Sequence, residues 1–176
     1  MTATATPLSI PTTDNTAKAR VLRNFEREHA TTLKILRAYP AEQASLRPNE
    51  RCNTAQQLAW TFVVEEKMML RSLKGEQVLG SGMPTPPETW NEILDELERT
   101  GNEVTAQLRN PDDANLAGTT TFFVAPKQTG DIPREAFAEF MIHDQIHHRG
   151  QLSIYVRCAG AKLPSIYGPT ADEPWH

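Results

Sequence analysis

A chain of 176 residues, with 39% hydrophobic and 23% charged side chains, suits one ordinary soluble core and is short for two. Its formal net charge is −4 and no Lys/Arg-rich run occurs, which argues against a nucleic-acid groove or an anionic membrane surface as partner. No run of about 18 apolar residues is present, and the opening MTATATPLSIPTTDN lacks the basic and apolar regions of a secretory signal. Neither a transmembrane helix nor a membrane partner is therefore expected, and the chain reads as cytoplasmic. The two cysteines, Cys52 and Cys158, have no metal-ligand spacing and read as reduced thiols.

The first twelve residues read as a loose arm. A first helix is expected over about 13–38, with Thr12, Thr13 and Asp14 as candidate N-caps and Tyr39-Pro40 as its stop. Leu22, Phe25, Leu33 and Leu36 make its apolar stripe, and His29 sits at the centre of it. A single histidine there reads as a hydrogen-bonded core residue, with a pocket-lining or ligand role as the alternative.

Residues 41–53 form a polar connector containing Pro48. The second helix opens at Thr54, where Thr54-x-x-Gln57 has the pattern of a capping box, and ends before Gly75. Leu58, Phe62, Met69 and Leu73 mark its inner face; Glu65 lies at one edge of that arc and Glu66 at the other. One of the two carboxylates is expected to reach solvent. The Gly- and Pro-rich segment that follows is a loop. A third helix is expected from residue 87 or 88 to 109, with Pro87, Glu88 and Glu92 in its first turn. Gly101 stands in its apolar stripe where a large side chain would be usual, which permits close helix approach.

A long connection over 112–131 contains TTTFFVA, whose β-branched and aromatic residues suit a short strand or hairpin. Asp131 is a candidate cap and Pro133 a candidate first residue for a fourth helix reaching about residue 159. The tail 161–176 has no helical period, but Ile166, Tyr167 and Trp175 suit packing along the bundle. Together these elements predict one all-α, four-helix bundle domain over 1–176 with one long crossover and an irregular or hairpin insertion before the last helix.

The fourth helix carries three of the five histidines. Stepping 100° per residue puts Phe137, Met141, Leu152 and Tyr155 within about 60° of each other, and Asp144 and His148 inside the same arc. His143 and His147 fall on the polar shoulder. The i,i+4 pair Asp144–His148 suits a metal or an acid–base dyad, or a pair that simply satisfies itself in the core. Glu65, Asp144 and His148, with His29 as a further candidate, are inward polar groups from three helices, the arrangement from which bundles build metal sites. Arg149 and Gln151 are expected to tie the fourth helix to neighbouring loops, and His147 to support the site from behind.

HHRGQLSIYVR, the downstream LPSIYGPTADEPW, the RAYP ending of the first helix and the TAQQLAWTF opening of the second together resemble the DinB/YfiT-like superfamily. The resemblance implies a four-helix bundle of up-up-down-down type, often a homodimer, that holds a divalent metal with three histidines. Carried onto this chain, those positions are His148, just before Arg149, then Asp144, and Thr61, just after Leu58-Ala59-Trp60. One histidine is kept and two are replaced. Asp144 remains a good ligand. Thr61 does not, but Glu65 lies one turn further along the same side. A Glu65/Asp144/His148 set suits Zn, Mn, Fe or Ni and leaves positions open for water or a small-molecule substrate. Some members of the family are thiol S-transferases, so the resemblance implies a metal-dependent thiol transferase or hydrolase. The alternative is a non-catalytic bundle that binds a small molecule or a protein, its metal site weakened or lost. A metal-free Asp–His dyad ranks last, because no nucleophile stands beside it.

Overall fold

The computed structural model describes residues 16–80 and 84–175. It contains α1 (Ala17–Ala38), α2 (Ala55–Leu73), α3 (Trp90–Arg109), the strands β1 (Thr119–Ala125) and β2 (Gln128–Pro133), and α4 (Arg134–Cys158). The bundle and the hairpin before its last helix are as the sequence predicts. The arm at 1–12 and the caps Thr12, Thr13 and Asp14 lie outside the described residues, and the described start of α1 is capped by Thr16, which accepts from the Ala19 amide. At α2 the Thr54/Gln57 capping box forms with both of its hydrogen bonds. Gly75, at φ 73°, then turns the chain out of that helix.

Two helix starts differ from expectation. Thr89 and Glu92 make a second capping box, so α3 begins at Trp90; Pro87 and Glu88 stay in the loop, where their carbonyls accept from the Gln56 side-chain amide. Asp131 does not cap α4. It belongs to β2, opposite Thr121, whose hydroxyl donates to it at 2.7 Å. The strand register runs on to Pro133, so the chain passes straight from ladder to helix, and Pro133 is the residue before the first turn.

The helix directions correct the up-up-down-down expectation. Arg20 meets Glu135 and Glu28 meets Arg149, so α1 and α4 run the same way. Lys67 meets Glu96 and Lys74 meets Glu103, so α2 and α3 run together. Tyr155 reaches the Asn53 carbonyl while Glu65 faces His148, which sets α4 against α2. The order is therefore up-down-down-up. The reason lies in the connections: among the described helices, α2 and α3 are the one consecutive pair that runs the same way, whereas up-up-down-down needs two such pairs.

Two apolar clusters fill the bundle. One gathers Leu36, Phe62, Trp90, Leu97 and Leu152; the other gathers Phe25, Met69, Leu108, Phe137 and Met141. Between them, at mid-height, lies a layer of buried polar side chains: Glu28, Thr32, Glu65, Glu66, Thr100, Gln145 and Arg149. The candidate site is part of that layer.

Candidate metal centre

Glu65 is 2% exposed and comes from the middle of α2. Its Oε1 lies 2.7 Å from His148 Nδ1 on α4. Asp144, one turn earlier on α4, completes a group whose donor atoms all lie within 4.8 Å of one another. The spacing of four residues places Asp144 and His148 on one face of α4, and the antiparallel packing of α2 brings Glu65 to that face. Phe62, one turn before Glu65, meets the His148 ring edge-on at 6.4 Å.

Burial pushes the Glu65 carboxyl up to about 7; the hydrogen bond and charge of His148 oppose this, and the negative charge of Asp144 adds to it. His148 is raised by its bond to Glu65, against the effect of its own burial. Glu65 Oε2 is buried without a hydrogen-bond partner. Two facing carboxylates, one with an unsatisfied buried oxygen, and one imidazole form a donor set that a divalent cation fits: it would satisfy the oxygen and relieve the repulsion.

Thr61 is not part of the group. Its hydroxyl donates to the Gln57 carbonyl of its own helix at 3.1 Å. His143 and His147 are exposed, as the helical wheel predicts. His147 contacts the His148 ring at 5.3 Å and its Nε2 lies 2.8 Å from the Gln151 amide nitrogen, on the surface side of the site.

Two expectations are corrected and a third is met only in part. Neither glutamate of α2 reaches solvent: Glu66 is wholly buried as well. Each turns to a different histidine, Glu66 Oε1 standing 2.7 Å from His29 Nδ1 on α1 and 3.4 Å from the Gln145 amide. Burial raises the Glu66 carboxyl, against these bonds. Adjacent residues on a helix are about 100° apart, so one pair can serve two neighbouring helices at once. Arg149 does bond the tail through Tyr167, as a tie to a neighbouring segment would, but it lies in the core. It is 1% exposed, donates to the Glu28 carbonyl at 3.0 Å and to Thr32 at 3.3 Å, and pairs with the Glu28 carboxylate. Gln151 is exposed and bonds within its own helix.

Glu28 escaped the sequence reading, although a signal existed. Val21, Phe25, Glu28, Thr32 and Ile35 recur at alternating spacings of four and three, and all are buried. The glutamate sits in line with the core residues. From the tail, the Tyr167 hydroxyl donates to Glu28 at 2.5 Å and accepts from Arg149. Burial raises the Glu28 carboxyl, but hydrogen bonds from Tyr167, Arg149 and Arg27 outweigh it and leave the group below its ordinary value.

By fold and site, then, this is a helical-bundle protein with a carboxylate-rich candidate metal group at mid-bundle, and no described helix is long and apolar enough to cross a membrane. The family model described as DinB family matches residues 12–175, and the chain belongs to that family. The uncharacterized protein YrdA of Bacillus subtilis (strain 168) is 24% identical over 153 residues, which are 86% of this chain and 89% of that protein. Among solved structures, a DinB-like protein from Bacillus cereus ATCC 10987 superposes with a TM-score of 0.69 at 23% identity, covering 84% of this chain and 95% of the other. A DinB-like protein from Bacillus subtilis, YjoA, gives 0.63 at 16% identity, covering 84% and 97%. Both share the fold.

Proposed function

We propose that this DinB-family chain binds a divalent metal through Glu65, Asp144 and His148 and uses it in transfer of a small thiol or in hydrolysis. The observation that carries this reading is the convergence of three donor groups within 4.8 Å, one of them Glu65, whose Oε2 is buried without a hydrogen-bond partner. Two oxygens and one imidazole suit Zn, Ni, Mn or Fe without strong selection among them. Three ligands leave coordination positions for water or substrate. When bound, such a metal lowers the pKa of a coordinated thiol or water and so supplies a nucleophile near neutral pH. The protein's own part is to hold His148 in place through Phe62 and to keep Glu65 dry. We further take the chain as one cytoplasmic domain, with Cys52 and Cys158 reduced, that works as a homodimer; exposed Phe140 and Ile154 on α4 support the last point.

One observation favours a second reading. Glu65 Oε1 and His148 Nδ1 already meet at 2.7 Å, a contact that forms without a metal, as it would in a non-catalytic binding bundle.

Elemental analysis of protein purified without chelator separates the two. Near-stoichiometric divalent metal is expected in the parent and its loss in His148→Ala and Asp144→Ala. His143→Ala should keep the metal. Equal metal content in the parent and the two ligand variants would overturn the assignment.

A further inference from the structure

Beside the metal group, on the adjacent face of α2, lies a second feature with a chemistry of its own. It is a cavity of about 760 Å³, within the range of small-molecule sites. The floor is Val64 and Met68 of α2, and the walls come from outside the bundle: Val78, Leu79 and Pro84 of the long crossover, and Phe122 and Phe123 of β1. These walls are fixed at several points. The Ser72 and Thr120 hydroxyls are hydrogen-bonded, tying the hairpin to α2. Phe122 packs on Phe137 of α4 with ring centroids 5.0 Å apart. The Trp60 indole donates to the Pro84 carbonyl at 2.6 Å, tying the crossover down.

Two cations line this otherwise apolar space. Lys67 and Arg71 stand four residues apart on α2 and so share one edge of the cavity. Their present carboxylate partners, Glu96 and Glu76, make partly exposed pairs of the kind that solvent screens and an entering anion displaces readily. Phe123 adds an aromatic face that is 54% exposed, an apolar surface left uncovered at the cavity.

We propose that this cavity binds an amphipathic monoanion, a carboxylate on a medium-length acyl chain or an aromatic body. The apolar part lies against Met68, Val78 and Phe123, and the carboxylate meets Lys67 and Arg71. The inference stands on the cavity alone and does not rest on the metal reading.

Calorimetric titration with decanoate, decanol and acetate, below micellar concentrations and with chelator present, tests it. Decanoate is expected to bind saturably at one per chain, with decanol at least about tenfold weaker and acetate silent. Lys67→Gln combined with Arg71→Gln should remove the preference for decanoate over decanol. Phe123→Ser, on a side chain 54% exposed, should weaken both ligands. Absence of saturable decanoate binding, equal affinity for decanol, or full retention of the preference in the doubly substituted protein would overturn the proposal. Binding of decanoate only when metal is added would also overturn it, because the carboxylate would then sit on Glu65, Asp144 and His148. A protein that holds no metal but binds decanoate leaves this site intact and removes only the metal reading.

Discussion

Two of the carboxylates in the polar layer, Glu65 beside His148 and Glu28 beside Arg149, respond to pH in opposite senses. Glu65 carries a raised carboxyl pKa of about 7, so the folded protein without metal holds a proton there that the unfolded chain, near 4.5, has lost. Stability from this group is full below 4.5 and falls as pH rises toward about 7. Metal binding works the other way, since the ligands must be deprotonated. Metal affinity is therefore expected to strengthen as pH rises through about 7, which competitive chelator titrations at several pH values would measure. A flat profile would mean that Glu65 is not a ligand. Glu28 lies below its ordinary pKa, so its contribution is present above 4.5 and disappears as pH falls through the lowered value. Arg149→Met removes the buried cation of that carboxylate, leaving it the more exposed Arg27, and should cost about 3–5 kcal/mol in urea denaturation. Adding Glu28→Leu to the same chain should recover most of the loss, because a well-packed apolar pair replaces a buried ionic one. A double variant as unstable as the single one would show that the pair contributes more than it costs.

Between elements, the decisive contact is the crossing of α1 and α3, where Gly101 meets His29. A Cβ at Gly101 would lie 2.2 Å from the imidazole Cε1. The ring is held from the other side by Glu66 at 2.7 Å, so it cannot give way without breaking that bond. Gly101→Ala should therefore destabilise by about 1–3 kcal/mol despite the better helix propensity of alanine. Gly150, also helical, has no atom within 4 Å of where a Cβ would stand. There the propensity term acts alone, and Gly150→Ala should stabilise by roughly 0.5–1 kcal/mol. Thermal unfolding of both variants would check the contrast. The gap at Gly101 and the core position of His29 are each visible in the sequence as breaks in an apolar stripe. That the two breaks fill each other is not, because sequence alone does not say which helices are neighbours.

At the scale of the whole molecule, a ligand that binds only the folded state adds to its stability by mass action. Zinc at about a hundred times its dissociation constant should add roughly 2.7 kcal/mol to unfolding, measured as a shift in urea midpoint against a chelated sample. Asp144→Asn should lose most of that shift. A midpoint indifferent to chelator would mean that the folded group takes no metal.

The sequence by itself determined the helices, the hairpin and the sharing of one helix face by Asp144 and His148. These depend on local periodicity: a spacing of four puts two side chains on one face whatever the rest of the chain does. It also drew attention to Glu65 and Glu66, since carboxylates at the edges of an apolar arc are unusual enough to mark themselves. Only the tertiary structure decided the up-down-down-up order, because direction depends on which loop travels the bundle's length. It alone decided that Glu66 is buried, since one of its oxygens meets His29, 37 residues away on another helix, while the other stays without a hydrogen-bond partner. It alone gave Arg149 its place in the core, because the burial of a guanidinium depends on finding Glu28, and that partner is 121 residues distant in the chain. A buried charge is legible only when its counter-charge is known, and counter-charges across a bundle are set by packing rather than by sequence spacing.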